Sequence, residues 1–175
     1  MKNILTFEVE DRFHIESPGV ELPDRRSRII PILIHLLDLL DEEKARATFF
    51  VLGWVARKFP EVVALLDSRG HEVASHGFTH EDITMMPPDK LKDELNKAKS
   101  TLENIIDQKI LGFKTAGDYL NRENLGIYSI IGEAGFKYDC SLYPRGRRFS
   151  PNKLLPIKLG GDNSLTCIPQ STYNK

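Results

Sequence analysis

The chain is poor in cysteine, tryptophan and charge of either sign in excess. Its 175 residues hold two cysteines, Cys140 and Cys167, too few for a disulfide framework. The 24 Lys+Arg balance 25 Asp+Glu, so the charge of −1 gives no electrostatic case for nucleic acid or an anionic membrane surface as partner. No apolar run approaches the roughly 20 residues of a membrane helix. The opening Met1 to Glu8 meets an acid too early for a secretory signal. These absences point to a cytoplasmic protein in a reducing compartment. The length suits one compact domain over residues 1–175.

What is present alternates. Lys2 to Val9 is a short apolar run ending in acids, and Ala47 to Leu52 is β-branched and aromatic; both read as strands. Ile29 to Leu40 between them reads as a helix, with Pro31 in its first turn. Trp54 to Ser68 has helical spacing that Pro60 should split in two, and Gly70 should close it. His71 to Ser75 is a third strand, and Pro87-Pro88-Asp89 opens a helix reaching about Ile106, striped by Leu91, Leu95, Ala98 and Leu102. Strands at Ile110–Phe113, Phe136–Cys140 and Leu165–Ile168, with a helix over Glu123–Ala134, complete the pattern. Such alternation predicts an α/β fold with a parallel sheet, either doubly wound or an incomplete barrel. Both place chemistry at the carboxyl ends of strands: Glu8–Asp11, Ser75–His80, Phe113–Asp118 and Tyr138–Tyr143.

Two of those ends carry metal-type donors. Glu8-Val9-Glu10-Asp11 sets three carboxylates within four residues, and a divalent cation relieves their repulsion. His76 and His80 are four apart and converge on one ion if the segment makes a helical turn. Gly77 stands where a zinc-protease motif needs Glu, which excludes that class. A carboxylate with two imidazoles is a usual catalytic zinc set, though such donors also admit cobalt and other first-row ions. His14 is a further candidate; His35, in an apolar helix, reads as a packed or half-exposed core residue, and Trp54 as core. Cys140 lies near the groove without a sign of reactivity. Arg145–Arg148 reads as a solvated loop and Gly160–Asn163 as a turn.

These segments resemble the polysaccharide deacetylases of carbohydrate esterase family four, the NodB-like domain. The resemblance is to the branch whose first motif reads Asp-Val-Glu-Asp. Leu5 to His14, Ala47 to Trp54, Gly70 to His80 and Tyr138 to Pro144 carry it, in order. It implies a distorted, incomplete (β/α) barrel and metal-dependent removal of N-acetyl groups from a sugar polymer. Carried over, Glu8 is the base, His76 and His80 are ligands, and Glu10 or Asp11 is the third. Strand periodicity favours Glu10 as the neighbour of Glu8, whereas a turn after Val9 favours Asp11. The resemblance implies a backbone N–H near Tyr143 that meets the oxyanion, and places Lys114, grouped with it as a substrate and oxyanion residue, where the family's arginine orients the base carboxylate.

Three departures follow. Glu8 replaces the family's aspartate, Lys114 in Lys114-Thr115-Ala116 replaces its arginine, and no histidine follows His80 to serve as leaving-group acid. The resemblance therefore predicts a domain without its C-terminal strand–helix units, with an open strand edge near Leu165–Ile168 that another copy of the chain would cover as a homo-oligomer. The rival functions are hydrolysis of a small cyclic amide, as in allantoinase-like relatives, and carbohydrate binding with impaired catalysis.

Overall fold

The computed structural model describes residues 4–11, 28–117, 120–142, 156–159 and 165–169. Among the described residues, seven strands form one sheet: β1 (Thr6–Val9), β2 (Thr48–Val51), β3 (Glu72–Ser75), β4 (Gly112–Phe113), β5 (Tyr138–Asp139), β6 (Ile157–Leu159) and β7 (Leu165–Cys167). Their spatial order is β1-β2-β3-β4-β5-β7-β6. The first five run parallel and in chain order, and β7 adds in parallel to β5. A doubly wound sheet reverses direction at its middle, and this one does not, so the order is that of a barrel wall. The outer strands β1 and β6 do not pair with each other among the described residues, and the barrel is not closed.

The helices follow the periodicity. Helix α1 (Ile29–Glu42) buries Ile29, Leu33, Leu37 and Leu40. The stretch after β2 divides into α2 (Gly53–Lys58) and α3 (Pro60–Ser68), because Pro60 has no N–H to continue the first helix and its fixed φ suits the first turn of the next. Gly70, at φ 74°, ends α3 in the left-handed conformation that a side chain resists. Helix α4 (Pro88–Ile106) turns Leu91, Leu95, Ala98 and Leu102 inward, and its buried row also includes Glu94. Helix α5 (Leu125–Glu133) buries Tyr128 and Ile131. A 3-10 turn at Ile83–Met85, capped by Asp82, was not legible in the sequence. None of the helices among the described residues is long and apolar enough to cross a membrane.

The far end of the sheet corrects one expectation. Leu165–Cys167 is not an open edge: β6 pairs antiparallel on its outer side, and Leu165 and Cys167 are fully buried. Strand β6 is three residues of ordinary composition, too short to stand out by alternation. His35 also departs from expectation. It is exposed, because it falls on the solvent side of the stripe formed by Leu33, Leu37 and Leu40.

Register is what builds a site from these pieces. Val9 pairs with Val51, Val51 with Ser75, Ser75 with Phe113 and Phe113 with Asp139, so the strands end in one row. The next residues along the chain, Glu10, Leu52, His76, Lys114 and Cys140, therefore share one rim of the sheet.

Candidate metal centre

His76 is the most constrained member of that rim. It is 1% exposed, its backbone N–H donates to Val51, and its Nδ1 lies 2.9 Å from the carbonyl oxygen of Lys114. A carbonyl only accepts, so Nδ1 carries the proton and the lone pair sits on Nε2. That Nε2 is buried without a hydrogen bond among the described residues, and so is Glu10 Oε2, 3.6 Å away. Glu10 Oε2 is also 2.7 Å from His80 Nε2, an ion-pair distance outside hydrogen-bond geometry. One donor atom from each of Glu10, His76 and His80 lies within 4.8 Å of the others.

These residues fit a divalent cation. Ligands about 2.0–2.2 Å from a tetrahedral ion stand about 3.3–3.6 Å apart, and Glu10 and His76 already hold that separation. A buried imidazole nitrogen, His76 Nε2, aimed at this space without a hydrogen bond is costly unless something completes it. One carboxylate and two imidazoles suit zinc, cobalt and related ions. Asp11, half-buried at the end of β1, is not in this cluster; the geometry gathers Glu10 instead.

The convergence does not come from a helical turn. Residues 76–80 are a loop, in which Gly77 takes φ 78° and His80 takes φ 64°. Two left-handed residues fold the segment back, bringing the imidazole rings to 5.9 Å between centroids at an interplanar angle of 75°. The sequence offered spacing but no sign of this backbone.

Beside the three donors stands Glu8. Its Oε2 is 3.7 Å from His76 Nε2, and its Oε1 is paired with the ammonium of Lys114. Lys114 thus binds twice: its side chain holds Glu8 and its carbonyl holds His76. The peptide that carries this carbonyl is itself fixed from behind. Thr115 N–H donates to Ser141 Oγ at 2.8 Å, and Ser141 Oγ donates to Asp139 Oδ2 at 2.6 Å. Asp139 is fully buried; burial pushes its pKa up to about 7 against the opposing pull of Ser141 and Lys114. The sequence placed Asp139 and Ser141 inside the strand-end motif Tyr138–Pro144 but gave neither a role of its own.

Other candidates take structural places. His71 is buried against the edge of Phe49, accepts the Ala47 N–H at Nδ1, and has its pKa lowered by burial and then by Arg46. Trp54 is half-buried, edge-on to Phe59 and packed against the core. The Cys140 thiol is pushed up to about 12 by burial and by Asp139, far from a thiolate at neutral pH. His14, Tyr143, Arg145–Arg148 and Gly160–Asn163 lie outside the described residues.

The electrostatics predict how a cation competes with protons. Burial raises the Glu10 pKa, but its polar contacts with His76 and His80 outweigh that and bring it to about 2. The Glu10 contact raises His80 above 6.5, with burial opposing. In the metal-free protein the His80–Glu10 pair is therefore fully stabilising between about pH 4.5 and 6.5. Its contribution fades as pH rises through the shifted His80 value, and again as pH falls towards the Glu10 value. A cation needs the neutral ring. Zinc or cobalt affinity is expected to rise about tenfold per pH unit up to the His80 pKa, with one proton released. Calorimetric titration in buffers of different ionisation enthalpy measures that proton; affinity flat from pH 5.5 to 8 rules the competition out.

Comparison with known proteins identifies the family of the chain. The polysaccharide deacetylase family model matches residues 32–135. A peptidoglycan deacetylase-like protein of Gibberella zeae is 34% identical over 111 residues, 62% of this chain and 32% of its own length. A peptidoglycan-N-acetylglucosamine deacetylase of Bacillus cereus is 29% identical over 103 residues, 59% of this chain and 46% of its own. This chain thus matches less than half of the length of each of these relatives. Among solved structures, a Mycobacterium smegmatis protein assigned to the polysaccharide deacetylases superposes with a TM-score of 0.76 at 26% identity, covering 96% of this chain and 58% of that one. The matched model takes in β2 to α5 and with them His76, His80 and Lys114. By that match over more than half its length, the chain belongs to the polysaccharide deacetylase family.

Proposed function

We propose that the protein is a metal-dependent hydrolase that removes N-acetyl groups from an N-acetylated sugar polymer. The observation that carries this reading is the meeting of Glu10, His76 and His80 donor atoms beside the carboxylate of Glu8. Relatives named for peptidoglycan and chitooligosaccharide deacetylation support the substrate class.

Glu10, His76 and His80 would hold the cation. When bound, it would lower the pKa of a water to about 7 and polarise the acetyl carbonyl. Glu8 accepts the water proton at Oε2, the oxygen that Lys114 leaves unpaired while holding Oε1. The leaving amine also needs a proton, and Glu8, once protonated, is an acid already beside the reacting atoms. Lys114 and the Asp139–Ser141–Thr115 chain keep the base and His76 in fixed relation.

The test is acetate release from N-acetylglucosamine oligomers and from peptidoglycan, with zinc or cobalt added and with chelator as control. Release that depends on added metal is the expected result. Oligomer binding without release supports the impaired carbohydrate-binding reading instead, and turnover of a small cyclic amide alone moves the substrate class to the allantoinase-like one.

A further inference from the structure

Glu94 lies far from the chemistry in sequence and on the wrong side of its helix for a charged residue. It belongs to the inward row of α4 with Leu91, Leu95, Ala98 and Leu102, and is 8% exposed. A carboxylate among leucines requires a full set of donors. It has them in one place. Glu94 Oε1 accepts from Phe78 N–H at 2.8 Å, from Thr79 N–H at 2.6 Å and from the Thr79 hydroxyl at 2.9 Å. All three donors belong to the loop that links His76 to His80.

That loop is held from its other side as well. Gly77 and Phe78 carbonyls accept from the N–H groups of Gly53 and Trp54 at the start of α2, at 2.7 and 3.1 Å. The Phe78 ring is buried, with Lys97 Nζ 4.0 Å and Arg57 5.3 Å from its centroid. Between these clamps the chain makes its two left-handed residues. Gly77 adopts its φ freely, but His80 carries a Cβ, which an L-residue accommodates there only with strain. Such a conformation persists only where the surroundings fix it.

We propose that Glu94 is a positioning residue for the metal centre: by gathering the Phe78 and Thr79 amides it sets the turn that brings the His80 ring to His76 and Glu10. The inference rests on the proposed metal site. Charge-assisted hydrogen bonds to backbone N–H are stronger than neutral ones, and without the acceptor two buried amides are left unpaired. The loop then relaxes and the imidazole separation is lost, while β1, β2 and β3 keep their pairing.

The experiment compares cobalt and zinc affinity, by the visible spectrum of the cobalt form and by calorimetry, in the parent chain, Glu94→Ala, Glu94→Gln and Leu102→Ala. Outer contacts of this kind are worth about 10- to 100-fold in metal affinity. Glu94→Ala is expected to lose that much, and Glu94→Gln, which keeps a carbonyl acceptor at the same place, to recover most of it. Leu102→Ala removes packing from the same helix about two turns away; it is expected to lower the unfolding midpoint without moving the affinity. Hydrogen exchange at Phe78 and Thr79 should quicken in Glu94→Ala alone. If the parent binds cobalt and Glu94→Ala binds it equally well, Glu94 has no positioning role and the metal site stands. If Leu102→Ala weakens binding as much as Glu94→Ala does, the effect is general destabilisation and the inference is overturned. If the parent binds neither ion, the proposed function itself fails.

Discussion

Glu8→Gln is expected to cut acetate release by about 10²- to 10⁴-fold, the usual worth of a positioned general base, and to leave metal affinity where it was. The substitution keeps the shape of the side chain and a carbonyl oxygen for Lys114, and removes the ability to take a proton together with the charge that faces Lys114. Glu8 is spared as a ligand by position: the donor cluster is Glu10, His76 and His80, and Glu8 Oε2 stands 3.7 Å from His76 Nε2. Metal titration and acetate release on the same preparation separate the two roles. A variant that turns over like the parent removes Glu8 from the base role, and one that loses cobalt binding makes it a ligand.

The division between what the letters disclosed and what they hid follows the physics of each feature. Elements with long-range periodicity or hard punctuation were legible. Pro60 split α2 from α3, the double proline opened α4, and the β-branched aromatic run Thr48–Val51 became a strand buried at every position. The donors were legible because acids and imidazoles at strand ends are few. Their assembly was not. The choice between Glu10 and Asp11 depends on whether the chain turns after Val9, and strand periodicity alone could not exclude that turn. The His76–His80 meeting depends on two positive φ values, one of them at a histidine, where nothing in the sequence demands it. Glu94 did leave a signal: it interrupts an apolar row at helical spacing, and a charged residue on a buried face needs a partner. Asp139 and Ser141 lay in a motif the sequence showed, but their role was not legible, because their effect passes through the backbone of Lys114 and Thr115.

Lys114 and Glu8 should behave as one matched unit, which a four-member cycle would reveal. Relative to the family pattern the carboxylate side has gained a methylene and the cation has changed from a planar fork to a single ammonium. The two changes offset each other geometrically, since a longer acid meets a more compact base, and Lys114 reaches Glu8 directly. Glu8→Asp alone draws the carboxylate back by roughly 1 Å, a displacement that costs on the order of 10²-fold in rate when a reacting group is involved. Lys114→Arg alone crowds the same space from the other side and is expected to cost a similar amount. The double variant restores an aspartate facing an arginine, and its acetate release should exceed the product of the two single losses by at least about tenfold, a coupling of about 1.4 kcal/mol. Metal affinity should hold throughout, because the carbonyl of Lys114 supports His76 whatever side chain the residue bears. Losses that simply multiply would mean that the pair touch without being matched, and that the Glu8 carboxylate finds its place by other means.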